Sequence, residues 1–166
     1  MPIVRCLRAT SAALLLLVPL RARAQGAADD RRAVLAVVQR LFDGMRSGDS
    51  AAVRSAFHPQ ALLGTARNRN GATAFEIDTV DAFVRAVGTP HTPIWDERVR
   101  KTRVEVDGPL ASVWAEYSFY AGTKFSHCGI DAFQLAREGE TWQVVALTDT
   151  RRRDGCPDRP ADEPRQ

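Results

Sequence analysis

Residues Leu110 to Cys156 read LASVWAEYSFYAGTKFSHCGIDAFQLAREGETWQVVALTDTRRRDGC. Aromatic and β-branched residues alternate with polar ones on either side of two short Gly-containing breaks, Ala121-Gly122-Thr123 and Gly139-Glu140. That pattern predicts three antiparallel strands joined by tight turns. Closing the first hairpin with Tyr120 opposite Lys124, and the second with Glu138 opposite Thr141, assigns faces by the two-residue period of a strand. One face then collects Val113, Ala115, Tyr117, Phe119, Phe125, His127, Asp131, Phe133, Leu135, Val144, Ala146, Thr148 and Thr150. The other collects Trp114, Glu116, Tyr120, Cys128, Gln134, Val145, Leu147 and Asp149. The first set is the more apolar and is expected to face the helices. Tyr117 is expected opposite His127, and Asp131 opposite Val113 and Thr148. A slip of one residue would invert part of this assignment.

Upstream, Val34, Val37, Val38, Leu41, Phe42 and Met45 recur at helical spacing, with Asp29 or Asp30 placed to cap the helix and Gly48 to end it. A second short helix follows from Asp49 or Ser50 and stops at His58-Pro59. Ala61–Ala66 and Ala72–Ile77 flank an Asn70-Gly71 turn, the hairpin signal in which both residues tolerate positive φ. Asp78 or Thr79 caps a third helix that ends near Gly88. Pro90 and Pro93 make the next segment a loop that delivers Trp95, and Arg98–Val106 reads as a strand. Helices come mostly first and antiparallel strands last, an α+β layout with helices packed on one sheet face.

The first 24 residues stand apart. A basic start, an apolar run too short to span a bilayer, and Ala22-Arg23-Ala24 fit a cleaved signal peptide. The expected organisation is therefore a leader over 1–24, one α+β domain over 29–156, and a Pro-rich charged tail over 157–166 that is disordered. The whole chain carries 23 Lys and Arg against 20 Asp and Glu. Loss of Arg5, Arg8, Arg21 and Arg23 with the leader reverses the balance to a net charge of −1, so the charge gives no case for nucleic acid or, once the leader is gone, for a membrane. Export, to a periplasm or the exterior, is the functional statement the residues support most directly. It leaves an even pair, Cys128 and Cys156, as a candidate disulfide, with one buried and one free thiol as the alternative. No spacing of His, Cys, Asp and Glu suits a metal, and no phosphate loop or nucleophile elbow is present, so neither a metal nor a cofactor is expected.

Several segments together resemble a known superfamily. Gly48-Asp49 between two helices, Phe57-His58-Pro59 and the closing Trp142-Gln143-Val144-Val145 are similar to nuclear transport factor 2-like proteins. Val113-Trp114-Ala115 through Tyr117, Phe125-Ser126-His127-Cys128-Gly129, Asp131 to Leu135, and Asp149-Thr150-Arg151-Arg152 with Cys156 resemble its "putative lumazine-binding" subgroup. The resemblance implies a cone-shaped α+β fold in which a curved sheet wraps a long helix around an apolar pocket. It also implies homodimers through the outer sheet face, where Trp114, Tyr120 and Leu147 are expected. It transfers no catalytic residue, since the superfamily spans isomerases, cyclases, dehydratases and members that only bind.

The expected pocket residues are Phe42, Trp95, Tyr117, Phe119, His127, Asp131, Phe133 and Thr148. Titratable and hydroxyl groups on an apolar concave wall are the usual make-up of a small-molecule site. The leading reading is a non-catalytic exported protein that binds a small, largely apolar molecule. The alternatives are a proton-transfer enzyme, with Asp131 or His127 as base and Tyr117 supporting an oxyanion, and a dimeric interaction module. Whether the protein is an enzyme stays open at this point.

Overall fold

A computed structural model describes residues 18–69 and 71–158. Helix α1 (Val18–Ser47) and helix α2 (Ser50–Ala56) lead into strands β1 (Phe57–Arg69) and β2 (Ala72–Thr79). Helix α3 (Val80–Gly88) follows, then β3 (Trp95–Asp107), β4 (Leu110–Ala121), β5 (Lys124–Glu138) and β6 (Thr141–Arg151). The six strands form one curved, open sheet in the order β2-β1-β6-β5-β4-β3, antiparallel except where β1 meets β6. The three helices pack on it, giving a single α+β domain.

Helix α1 begins well before the expected cap. The stretch ahead of Asp29 is rich in Ala and Arg, good helix formers; Pro19 falls in the first turn, where it is tolerated, and Gly26 alone does not stop the helix. Asp29 instead accepts bonds from Gln25 and Arg32 on its own helix, and Asp30 pairs with Arg137 of β5 at 2.5 Å. The expected leader lies mostly outside the described residues, as does the tail beyond Asp158. The apolar stripe is as predicted: Val34, Val37, Val38, Leu41, Phe42 and Met45 are each no more than 6% exposed. Arg31 donates to the Val104 carbonyl at 2.7 Å, and Arg46 pairs with Asp96 at 2.8 Å, so both ends of the stripe are tied to β3.

The helix ends follow the local rules. Gly48 takes φ +70, a conformation an L-residue disfavours, and Asp49 then caps α2 by accepting from the Ala51 and Ala52 amides. Thr79 caps α3 through the Ala82 amide. No helix among the described residues is long and apolar enough to cross a membrane.

Two bulges set the register of the closing strands, and neither follows the simple turn-based pairing. Ala121 pairs with Lys124 and Tyr120 with Phe125; beyond a bulge, Phe119 pairs with His127 and Ala115 with Asp131. Tyr117 therefore faces Gly129 across the ladder, not His127. In the second hairpin Glu138 pairs with Thr141 as expected, but a bulge past Leu135 shifts the rest, so that Phe133 pairs with Leu147 and Asp131 with Asp149. A bulge inserts one residue on one strand and exchanges the faces beyond it. Phe125 consequently joins Tyr120 in an edge contact (ring centroids 5.8 Å apart) instead of facing the helices. Leu147 and Asp149 turn inward, and Thr148 turns outward.

Cys128 and Cys156 are bridged. Gly155 at φ +67 turns the chain back, and Cys128 exchanges two backbone hydrogen bonds with Arg152.

Candidate functional site

A cavity of about 400 Å³ lies between the concave sheet face and helices α1 and α3. Its helical side is apolar, from Leu41, Phe42 and Met45 of α1 and Phe83 of α3. On the sheet side Trp95, Phe119 and Leu147 continue that surface, and polar groups collect at the floor.

Tyr117 is 1% exposed, and its hydroxyl is engaged by two acceptors, Asp149 Oδ2 at 3.1 Å and the Thr150 carbonyl at 3.0 Å. Gly129 makes this possible. A Cβ there would lie 1.7 Å from the Thr150 carbonyl oxygen and 2.7 Å from the Tyr117 ring, so only glycine lets the ring and β6 close over that point. Asp149 also accepts from Thr65 at 2.5 Å and from Arg151 Nε at 2.7 Å. Burial, and then the charges of Asp149, Glu97 and Asp131, drive the Tyr117 pKa upward, so the phenol stays a proton donor.

His127 stacks on Phe119 with ring centroids 5.0 Å apart and meets Tyr117 edge-on at 5.7 Å. Its Nδ1 lies 3.0 Å from the Ser126 hydroxyl. Burial, with Arg151 adding to it, lowers its pKa to about 4, so the ring is neutral near pH 7.

Asp131 is 3% exposed and its Oδ2 receives no hydrogen bond from any amide, amine or hydroxyl of the described residues. Its side-chain partner is Glu97, from the start of β3. Two carboxylates cannot hydrogen-bond without a proton between them. Burial is the main cause that raises both pKa values, that of Glu97 to about 7; the Asp149 charge adds to it, the neighbouring Glu97 adds further at Asp131, and the Arg151 charge works against the rise at both. The raised pKa values favour a proton shared by the pair as pH falls to neutrality and below. Among the described residues no group of three or more His, Cys, Asp or Glu is arranged to hold a metal ion.

Six of the eight expected residues line the cavity: Phe42, Trp95, Tyr117, Phe119, His127 and Asp131. Phe133 does not, being fully buried beneath it against the edge of Phe42. Thr148 is exposed on the opposite sheet face, because the bulge past Leu135 exchanges sides. Glu97, Asp149 and Arg151 were missed. The alternation Trp95, Glu97, Val99 is visible in the sequence once β3 starts at Trp95. Asp149 and Arg151 share the parity of Leu147 and become visible only with the bulge.

Residues 29–148 match the family described as Putative lumazine-binding. The chain belongs to that family. No curated protein matches it. Its fold is that of nuclear transport factor 2-like proteins. One such protein from Novosphingobium aromaticivorans, with a cystatin-like fold, is 18% identical with a TM-score of 0.63, covering 89% of this chain and 96% of its own. A protein of unknown function from Mycobacterium tuberculosis is 13% identical with a TM-score of 0.63, over 78% and 76%. A putative scytalone dehydratase from N. aromaticivorans is 12% identical with a TM-score of 0.58, over 74% and 84%. At such identities the likeness is one of fold alone.

Proposed function

We propose that this family member is an exported, non-catalytic binding protein whose cavity holds one compact, largely apolar molecule by a polar end. The observation that carries the reading is the cavity itself, apolar against α1 and α3 and polar only at its floor. Its volume of about 400 Å³ falls in the range of small-molecule sites. Export is supported by the leader pattern and by the Cys128–Cys156 bridge, since disulfides persist in oxidising compartments. A homodimer through the outer sheet face belongs to the same reading. That face leaves Trp114 48% exposed and adds Leu62, Phe75 and Ile77 of the first hairpin, whereas Leu147, expected there, points into the cavity. Sedimentation velocity of the wild type against Trp114→Glu tests the dimer.

A thermal-shift screen with small apolar compounds tests binding. A ligand at one hundred times its Kd stabilises the folded state by about 2.7 kcal/mol, a shift of several degrees. Ala86→Phe, which fills the cavity from α3, should abolish each shift. Shifts that survive that substitution, or a screen without a hit, would count against the reading.

A proton-transfer enzyme is the second reading, favoured by the Glu97–Asp131 carboxyl pair, whose pKa values burial raises. In it the pair, not Tyr117, supplies the proton, because the Tyr117 hydroxyl is already directed at Asp149 and Thr150. Turnover of a bound compound that is lost in Asp131→Asn while binding persists would establish it.

A further inference from the structure

The floor of the cavity is rich in carboxyl acceptors. Tyr117 gives its hydroxyl proton to Asp149 and Thr150, and Arg151 is held on Asp149. His127 Nδ1 is taken up by Ser126. Asp149 accepts from Thr65, Tyr117 and Arg151. The carboxyl pair forms no direct ion pair with a Lys, Arg or His among the described residues, the Arg151 charge acting on both acids from a longer range, and the buried Asp131 Oδ2 receives no donor. Every other charged or titratable lining group can be named by element: Asp78 on β2, Tyr117 on β4, His127 on β5, and Asp149 with Arg151 on β6. Helices α1 and α3 contribute only apolar side chains to the lining. Four carboxyl groups thus line a cavity with one guanidinium, already paired at its rim.

Such a floor repels carboxylates and phosphates and leaves an acceptor unsatisfied before a neutral apolar molecule. We propose that the ligand is a compact organic amine bound as its ammonium ion, its N–H groups on Asp131 and Glu97 and its apolar body against Phe42, Trp95 and Leu147. This rests on the binding reading above and gives that site its ligand class. Trp95 and Phe119 add aromatic rings to the lining, a residue type that attracts a cation. The charge balances by proton exchange. The empty pair keeps one proton between its oxygens; the arriving ammonium takes its place, and that proton leaves to solvent. Affinity therefore rises with pH until the pair is ionised in the empty site, by up to tenfold per pH unit.

Isothermal titration of the mature protein with nine compounds tests this. They combine three bodies (cyclohexyl, phenyl and indole), each on a two-carbon or shorter linker, with three heads: ammonium, hydroxyl and carboxylate. The expected result is at least thirtyfold tighter binding of the amine than of its alcohol at pH 7.5 for the body that fits, with no binding of the acid. Amine affinity should fall severalfold per unit from pH 7 to pH 5, with proton release read from buffers of different ionisation enthalpy. Asp131→Asn and, independently, Glu97→Gln should each shrink the amine-to-alcohol ratio to below threefold in folded protein. Alcohols or acids binding as tightly as amines would overturn the inference and leave the binding reading intact. Heat from none of the nine would overturn both.

Discussion

Glu97 and His127 line one cavity, and burial acts on them in opposite directions, which makes their pH dependence separable. Glu97 titrates near 4.5 when unperturbed and at about 7 in the fold, so the native state binds its proton more tightly than the unfolded chain. Its contribution to stability is present at acid pH and lost as pH rises towards 7. His127 moves from 6.5 to about 4, so the unfolded chain binds its proton more tightly. Its contribution is present above pH 6.5 and lost as pH falls towards 4. Between pH 7 and pH 5 linkage gives each about 2 kcal/mol, with opposite signs. Asp131, also raised, adds to the Glu97 side. Urea unfolding at pH 5, 6 and 7 should show Glu97→Gln losing about 2 kcal/mol relative to wild type on going from pH 7 to pH 5. His127→Gln should gain about 2 kcal/mol over the same interval. Contributions from the many surface carboxylates are common to all three proteins and cancel in the differences. A constant offset between Glu97→Gln and wild type across that range would refute the buried, proton-holding pair.

Gly129→Ala should destabilise the protein by about 3 kcal/mol in urea unfolding, because the new Cβ meets the Thr150 carbonyl and neither strand can retreat without breaking the ladder. Cys156→Ser should lower stability by about 3–4 kcal/mol by loop entropy, the bridge spanning a sequence separation of 28; addition of a reductant to the wild type should reproduce the effect. Thr148→Ala should stay within about 0.5 kcal/mol of wild type while Leu147→Ala loses about 2 kcal/mol, and the reverse order would restore the unbulged register.

The elements were legible where a residue has one conformational use. Gly48, Gly122 and Gly139, all at positive φ, mark chain reversals that few other residues tolerate, and the turns fixed the number and order of the closing strands. The stripe from Val34 to Met45 was legible because burial of one helix face leaves a period no other structure shares. Bulges carry no such mark. In the first hairpin the misplacement was one residue at the turn and one more at the bulge, and two steps return a strand to the same face. Tyr117, Phe119, His127 and Asp131 were therefore assigned correctly from a wrong register, while Phe125, lying between the two steps, was not. In the second hairpin there is a single step, so Thr148 was placed inside and Leu147 and Asp149 outside.

That single step is also what gives the cavity its chemistry. Without the bulge past Leu135, β6 would present Ala146, Thr148 and Thr150 to the helices, and the floor would hold no anchor for the Tyr117 hydroxyl and no Arg151 at its rim. With it, Asp149 arrives beside Asp131 in the ladder, and its charge joins burial in holding a proton on the Glu97–Asp131 pair. Three carboxyl groups from β3, β5 and β6 then meet around one guanidinium, and only Asp149 is paired with it. A packed core gains nothing from two buried acids without a direct ion-pair partner, since such groups cost stability even when they share a proton. Their presence on the cavity wall suits a ligand that brings hydrogen-bond donors, and an amine brings both the donors and the charge.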